Sequence, residues 1–264
     1  MPAPYDQICL FGDSITQDSF NQERGSGFSA KLQHAYIRRL DVVNRGFSGY
    51  TSRQALTVLP HIIPSPDVAR IRILVIFFGA NDASLAESLN GQHVPLPEYK
   101  GNLEKIITHP LVVAHSPRIM LVAPPPINEH LQYLTDQSKG YASLTRTAAS
   151  TKSYAEVACE VGEKLGVPVV NLWKAFMEKA RFQPEGWETG DPLPGSKKVP
   201  QNDKLVELMY DGLHFNPAGY DILFDEFMKV VVDRWPDQQP DNLPMVLPAW
   251  NDTAGWKAWS ASHT

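Results

Sequence analysis

Ser14 stands in surroundings that suit covalent chemistry. It lies in the segment Gly-Asp-Ser-Ile-Thr at positions 12–16, directly after the apolar run at 8–11. A serine hydroxyl becomes a good nucleophile only when a base takes its proton. A turn from a strand into a helix exposes such a side chain and points backbone N–H groups at it, where they can stabilise a negative oxygen. The alternative is an ordinary helix N-cap, and the segment does not match the Gly-x-Ser-x-Gly elbow of the α/β-hydrolases.

The candidate base is His214, near the other end of the chain. It follows Asp211 in the sequence Asp-Gly-Leu-His. A carboxylate three residues before a histidine can accept a hydrogen bond from the ring, which fixes the tautomer and leaves the other ring nitrogen as a base. Gly212 allows a tight turn between them. A surface turn before a helix is the alternative interpretation.

Two further segments carry groups that can stabilise an oxyanion. Gly46 and Gly49 lie in Arg-Gly-Phe-Ser-Gly-Tyr at 45–50, where glycine permits positive φ or close approach of the backbone; a simple turn is the alternative. Asn81 lies in Gly-Ala-Asn-Asp at 79–82. Its amide can donate to a developing negative oxygen, or it can cap a helix.

The elements that must position these four segments alternate along the chain. Short apolar runs predict strands at residues 8–11, 41–44, 71–78, 118–122 and 167–172. Apolar residues near helical spacing predict helices at residues 28–39, 52–59, 99–108, 141–165 and 217–235. This alternation predicts a parallel sheet with helices on both faces, whose reactive groups gather beyond the carboxyl ends of the strands.

Together and in this order, the four segments resemble the blocks of the SGNH, or GDSL, hydrolase family. The resemblance covers roughly residues 5–235, with Ile15 standing where the family name has Leu. The segments Asn-Arg-Gly-Phe-Ser-Gly-Tyr and Asp-Gly-Leu-His-Phe-Asn are most similar to the isoamyl acetate-hydrolysing esterase branch. The resemblance implies an α/β protein with a flavodoxin-like three-layer α/β/α sandwich and a five-stranded parallel sheet of order 2-1-3-4-5.

The resemblance also implies a role for each residue of the site. Ser14 would be the nucleophile, His214 the general base and then the general acid, and Asp211 the residue that orients the imidazole. The backbone N–H groups of Ser14 and Gly49 and the side chain of Asn81 would form the oxyanion hole. The chemistry requires no metal and no cofactor, and the other seven histidines show no paired ligand spacing.

Charge and hydropathy exclude several other classes. The net charge is -5, and no run of Lys or Arg is longer than a pair, so nucleic acid is not an expected partner. No apolar run approaches the roughly 20 residues of a membrane span. No secretory signal is recognisable at the start of the sequence. We expect a soluble, cytoplasmic protein.

The substrate is less well determined. Family analogy favours small esters of short acyl chains, acetyl to about hexanoyl, and Phe47 and Tyr50 are candidates to line the pocket or, alternatively, to pack in the core. The same three residues could instead deacetylate sugars or other metabolites, or cleave lysophospholipids or thioesters. A non-catalytic binding protein on this scaffold is a third interpretation, but it would lack at least one of the three reactive residues.

Residues 1–235 are predicted to form the hydrolase domain. The irregular segment at 183–204 is a candidate lid because long loops without periodicity are often functional or mobile. Residues 236–264 form a Pro-rich tail that carries Trp250, Trp256 and Trp259. Since exposed tryptophans are costly, we expect this tail to pack on its own domain or on a second protomer, which would make a homodimer.

Overall fold

A single parallel sheet forms the centre of the protein. The computed structural model describes residues 5–263 apart from 184 and 186. Its strands are β1 (Gln7–Gly12), β2 (Asp41–Gly46), β3 (Ile71–Phe77), β4 (Arg118–Ala123) and β5 (Val169–Asn171). All neighbouring strands are parallel, in the order β2-β1-β3-β4-β5. The five predicted strands and the implied order 2-1-3-4-5 are confirmed.

Helices connect the strands and extend beyond them. They are α1 (Ser14–Asp18), α2 (Phe28–Ala35), α3 (Ser52–Ile62), α4 (Leu96–Ile107), α5 (Pro110–Val113), α6 (Glu129–Ser138), α7 (Ala148–Leu165), α8 (Leu172–Lys179), α9 (Asp203–Leu208), α10 (Pro217–Arg234) and α11 (Thr253–His263). Two short 3-10 helices, Pro236–Gln238 and Pro240–Asn242, follow α10. None of the helices in the described part of the chain has the length and hydrophobicity needed to cross a bilayer.

The two faces of the sheet are buried by different helices. On β1, Ile8 and Leu10 belong to one hydrophobic core and Cys9 and Phe11 to the other, because successive side chains of a strand point to opposite faces. The first core is covered by α2, α8 and α10, and the second by α3, α4 and α7. The three predicted layers are therefore present.

Two predicted helices are shorter than expected. The helix predicted at 141–165 begins only at Ala148, because Thr147 is its N-cap and accepts a 3.0 Å hydrogen bond from the Ser150 backbone N–H. The helix predicted at 28–39 ends at Ala35, and the chain then turns with Arg38 at a φ of 63°. Residues 141–147 therefore form a loop before α7.

The register of the three central strands aligns their carboxyl ends. Gly12 at the end of β1 is paired with Gly46 at the end of β2 and with Phe77 at the end of β3. The loops that follow these strands begin at one edge of the sheet, at the same level. Three of the four predicted reactive segments therefore start side by side.

Part of the tail packs on the domain. The Arg38 guanidinium donates to the carbonyls of Leu247 and Pro248, at 3.1 and 2.8 Å, and the Tyr36 hydroxyl donates to the Gln238 carbonyl at 3.0 Å. Trp250 is 89% exposed. A homodimer through the tail stays a prediction, as does the domain boundary at residue 235. Residues 1–4 of the predicted domain and residue 264 of the predicted tail lie outside the described part.

Candidate active site

Ser14 begins α1, immediately beyond the carboxyl end of β1. Asp13 caps this short helix, and its Oδ1 accepts a 2.9 Å hydrogen bond from the Ile15 backbone N–H. The Ser14 residue is 6% exposed. The change from a buried strand to a capped helix within two residues therefore holds the Ser14 hydroxyl at the edge of the sheet where reactive groups gather.

A chain of hydrogen bonds joins Ser14, His214 and Asp211. Ser14 Oγ lies 2.8 Å from His214 Nε2, and His214 Nδ1 lies 2.7 Å from Asp211 Oδ2. The other carboxylate oxygen, Oδ1, accepts from the backbone N–H groups of Leu213 and His214, at 3.0 and 2.8 Å. This turn holds the carboxylate against the ring. An imidazole so placed can take the proton of the serine hydroxyl.

The loop that carries Asp211 and His214 is docked on the start of α6. Gly212 has a φ of 92°, and its carbonyl accepts a 2.9 Å hydrogen bond from the Asn128 backbone N–H. A Cβ added to Gly212 would lie 2.5 Å from both the Asn128 carbonyl oxygen and the Gln132 backbone nitrogen. Only glycine fits here without a shift of the loop.

Aromatic residues hold His214 close to α1. The Tyr210 ring stacks on the His214 ring with 5.8 Å between centroids, and the Arg24 guanidinium lies 3.7 Å from the Tyr210 centroid. Tyr220, in the first turn of α10, donates through its hydroxyl to the Ile15 carbonyl at 2.8 Å. The helix that follows His214 is thereby bonded to the residue that follows Ser14.

The carboxyl groups of Asp211 and Asp13, both close to the reactive residues, have different environments. Burial raises the pKa of Asp211, but hydrogen bonds from the His214 side chain and from the backbone outweigh burial and leave the pKa below its ordinary value. Asp13 is fully buried, and burial raises its pKa to about 7 despite the hydrogen bond from Ile15. Asp211 is therefore ionised at neutral pH, while Asp13 titrates near it.

The two other predicted oxyanion groups lie at the same cavity as Ser14 and His214. Gly49 has a φ of 79°, and Gly49 and Asn81 both line this cavity. The Asn81 side chain is held at both ends, because Nδ2 donates to the Tyr50 carbonyl at 2.9 Å and Oδ1 accepts from Arg146 Nη2 at 2.9 Å. An amide N–H fixed in this way can meet a negative oxygen without first reorganising.

Arg146 and Gln92 are site residues that the sequence interpretation missed. Arg146 is 4% exposed, and its Nη2 also donates to Gln92 Oε1 at 2.7 Å. The helix predicted at 141–165 includes Arg146, whereas the structure has Arg146 in the loop before α7. The signal that could have found it is Thr147, a good N-cap residue just before a helical pattern.

The cavity at Ser14 is small and its walls are mostly polar. Its volume is about 260 Å³. Besides the residues already named, it is lined by Ser48, Asn90, Gln132, Thr135, Asp136, Lys139, Tyr141, Thr145 and Leu213. Several of these come from α6, which the sequence interpretation did not predict. The lining offers many hydrogen-bonding groups and little apolar surface.

Two sets of predicted residues lie apart from this lining. Phe47 and Tyr50 stack on each other with 5.1 Å between centroids, and Phe47 meets Phe11 edge-on. None of the described residues of segment 183–204 lines the Ser14 cavity. Several of them, including Trp187 and Lys197, line a different cavity. Pro184 and Gly186 of this candidate lid lie outside the described part.

A three-layer α/β/α protein with a hydrogen-bonded Ser–His–Asp chain at the carboxyl edge of its sheet has the arrangement used by serine hydrolases. The model of the GDSL-like Lipase/Acylhydrolase family matches residues 10–222. The chain belongs to this family and is a carboxylic ester hydrolase.

Relatives and solved structures agree with this family. The chain is similar to a GDSL esterase/lipase of Arabidopsis thaliana, with 37% identity over 90% of this chain and 91% of the relative. It is 33% identical to the isoamyl acetate-hydrolyzing esterase of Saccharomyces cerevisiae over 94% of this chain and 95% of the relative. A crystal structure of a lipase/acylhydrolase from Enterococcus faecalis has the same fold, with a TM-score of 0.59, 24% identity and coverage of 91% and 98%.

Proposed function

We propose that this protein hydrolyses esters of short acyl chains, acetyl to about hexanoyl, through an acyl-enzyme on Ser14. The observation that carries the proposal is the pair of hydrogen bonds that links Ser14 Oγ to His214 Nε2 at 2.8 Å and His214 Nδ1 to Asp211 Oδ2 at 2.7 Å. In the first half-reaction, His214 takes the hydroxyl proton while Ser14 Oγ attacks the ester carbonyl carbon. Asp211, ionised at neutral pH, stabilises the imidazolium that forms.

In this proposal three donors bind the oxygen that becomes negative, namely the backbone N–H groups of Ser14 and Gly49 and the Nδ2 of Asn81. The proposal is supported by the position of these three residues, which line the same cavity. Collapse of the tetrahedral intermediate breaks the bond to the alcohol, which leaves with the proton from His214. Water then attacks the acyl group on Ser14 with His214 again as base, and the acid is released.

The size of the cavity supports a short acyl chain. Its volume of about 260 Å³ is below the roughly 300–1,000 Å³ of pockets that hold drug-sized ligands. Cleavage of lysophospholipids or long-chain thioesters would need a longer apolar channel than this cavity offers. The yeast relative is named for isoamyl acetate, an ester whose acyl group is of the proposed size.

The polar lining favours a second candidate for the alcohol. Asn90, Gln132, Lys139 and Tyr141 surround the cavity, and such groups bind hydroxyls better than alkyl chains. An O-acetylated sugar or polyol would make hydrogen bonds that isoamyl alcohol cannot make. Deacetylation of such a metabolite uses the same three reactive residues and differs only in the leaving alcohol.

A panel of esters tests the acyl and alcohol preferences. We expect kcat/KM to be high for p-nitrophenyl acetate, butyrate and hexanoate and to fall steeply at the dodecanoate, with Ser14→Ala as the inactive control. A preference for the dodecanoate would contradict the proposal. An O-acetylated monosaccharide compared with isoamyl acetate then decides the alcohol, since the polar lining predicts the larger kcat/KM for the sugar ester.

Partitioning between water and methanol tests the acyl-enzyme. If all acetate esters form the same acetyl group on Ser14, added methanol must yield one ratio of methyl acetate to acetate, whatever alcohol left first. A ratio that changes with the leaving alcohol would show that water attacks the substrate directly, and the covalent step would be wrong.

A further inference from the structure

Arg146 is a buried cation beside the reactive residues. It lines the cavity and is 4% exposed. Burial lowers its pKa from the ordinary value, yet a guanidinium remains protonated in proteins. The oxygens to which it donates are all neutral and belong to Ala80, Asn81, Gln92 and Thr145. Burial of this cation is costly, and the negative charge of Asp136 offsets part of the cost. The hydrogen bonds of the guanidinium point to a function beyond packing.

The guanidinium bonds the carbonyl end of the Asn81 amide. Arg146 Nη2 lies 2.9 Å from Asn81 Oδ1. Because the guanidinium has only donors, it forces the carbonyl end of the amide toward itself and the NH₂ end away. That NH₂ uses one proton on the Tyr50 carbonyl at 2.9 Å and has its second for a substrate oxygen. The Tyr50 carbonyl and the guanidinium thus fix opposite ends of the amide, and loss of Arg146 would remove one of these two restraints.

The same nitrogen also reaches Gly49, through Gln92. Arg146 Nη2 donates to Gln92 Oε1 at 2.7 Å, and Gln92 Nε2 donates to the Gly49 carbonyl at 2.9 Å. Glycine has a wider conformational range than other residues, and this bond helps to hold Gly49 at its φ of 79°. The carbonyls of Gly49 and Tyr50 are therefore held by two amides that both bond to Arg146.

The far side of the guanidinium is anchored in turn. Arg146 Nε donates to the Ala80 carbonyl at 2.7 Å and Nη1 to Thr145 Oγ1 at 3.1 Å. The Thr145 hydroxyl donates to the buried carboxylate of Asp136 at 3.1 Å. The planar fork of an arginine can make these bonds at once, whereas the single ammonium of a lysine cannot.

We propose that Arg146 is a positioning residue for the oxyanion hole, which it holds through Asn81 directly and through Gln92 to Gly49. The proposal rests on the proposed function, in which Asn81 and Gly49 bind the oxyanion. Loss of the Arg146 guanidinium should lower kcat and leave KM nearly unchanged for any ester substrate. The reason is that the oxyanion-hole donors matter most when the substrate oxygen is negative, in the transition state.

A double-mutant cycle between Arg146 and Asn81 tests this role. Arg146→Lys should lower kcat on the order of 10²-fold by misplacing the donors, and Asn81→Ala should lower it about 10²- to 10³-fold. In the Asn81→Ala background, Arg146→Lys should cost several-fold less, because the donor that it orients most directly is gone. Equal losses in the two backgrounds, or a change confined to KM, would overturn the proposal.

Gln92→Leu supplies a second variant in case Arg146→Lys fails to fold. It removes the branch to Gly49 while leaving the bond between Arg146 and Asn81 in place, and we expect kcat to fall about tenfold with KM nearly unchanged. Full kcat in a folded Gln92→Leu protein would overturn the branch through Gln92. Ser14→Ala distinguishes failure of the proposed function from failure of the role of Arg146. If Ser14→Ala kept its esterase activity, the proposed function would be wrong. If Ser14→Ala were inactive but the losses from Arg146→Lys and Asn81→Ala were additive, only the role of Arg146 would be refuted.

Discussion

His214 Nε2 lies 2.8 Å from Ser14 Oγ, although the two residues are 200 positions apart in the chain. The contact depends on two attachments outside the pair. The Tyr220 hydroxyl bonds the Ile15 carbonyl at 2.8 Å, and the loop before His214 rests on the start of α6 through Gly212 and Asn128. If Ser14 and His214 act as proposed, esterase activity depends on tertiary packing that joins both ends of the domain.

The unit formed by Ser14 and His214 should show non-additive losses. Ser14→Ala and His214→Ala should each lower kcat by about as much as the double variant. The nucleophile needs its base and the base needs its nucleophile, so the loss of either one abolishes the same step. The measurement is steady-state kinetics on p-nitrophenyl acetate. If the two losses multiply in the double variant, one of the two roles has been assigned to the wrong residue.

Asp211→Asn should retain the fold and lose most of the rate. An asparagine can still accept from the backbone N–H groups of Leu213 and His214, so the turn survives, but its amide can donate to Nδ1 and favour the wrong tautomer of the imidazole. In a serine protease the corresponding change lowers kcat about 10⁴-fold. A folded Asp211→Asn protein with kcat within about tenfold of the original would rule out the orienting role.

A matched pair of glycine variants tests the docking of the His214 loop. Gly212 and Gly166 both have positive φ, at 92° and 65°, so an alanine at either position costs about 1 kcal/mol of backbone strain. Of the two, only Gly212 would bring the new Cβ against backbone atoms, at 2.5 Å, whereas at Gly166, which ends α7, nothing lies within 4 Å.

Gly212→Ala should therefore lower kcat on the order of 10²-fold by displacing His214, while Gly166→Ala should keep the original kcat. Both variants need a thermal unfolding curve, so that a loss of activity is not confused with a loss of folded protein. Equal kcat in the two folded variants would show that the loop tolerates the shift, and that the docking on α6 does not position the imidazole.

The buried Asp13 makes stability depend on pH in a defined direction. Burial, with a smaller contribution from the charge of Asp82, raises the Asp13 pKa to about 7, compared with about 3.9 in the unfolded chain. The folded protein thus holds this proton longer than the unfolded chain does. The resulting stabilisation is fully present below about pH 4 and is lost as the pH rises through 7.

In Asp13→Asn the carboxyl group is replaced by an amide, which does not titrate in this pH range. The free energy of unfolding of Asp13→Asn relative to the original chain should therefore increase between about pH 4 and pH 8, on the order of 1.4 kcal/mol for each pKa unit of the shift. Urea unfolding of both proteins at several pH values measures it. Parallel pH profiles would contradict a strongly raised Asp13 pKa.

Much of the site could be predicted because its signals are local. Ser14 follows a buried strand within two residues, and Asp211 and His214 sit in one turn, so residue types and spacing identify them together. The ends of parallel strands also meet at one edge whatever the details of packing, which brings Gly49 and Asn81 near Ser14.

The walls of the site could not be predicted in the same way. Arg146 bonds to Asn81 from 65 positions away, and no periodicity within either segment encodes that contact. The residues of α6 read Glu-His-Leu-Gln-Tyr-Leu-Thr-Asp-Gln-Ser, a polar segment with no clear apolar stripe. Its N-cap, Asn128, is a local signal, but the burial of its polar residues Glu129, Gln132 and Asp136 depends on tertiary structure.

The nucleophilic role of Ser14 is tested most directly by covalent labelling of the folded chain with a fluorophosphonate, followed by peptide mapping in a mass spectrometer. We predict one phosphonyl group per chain on the hydroxyl of Ser14, no labelling of Ser14→Ala, and strongly slowed labelling of His214→Ala. Labelling of another residue, or labelling that persists in Ser14→Ala, would contradict that role.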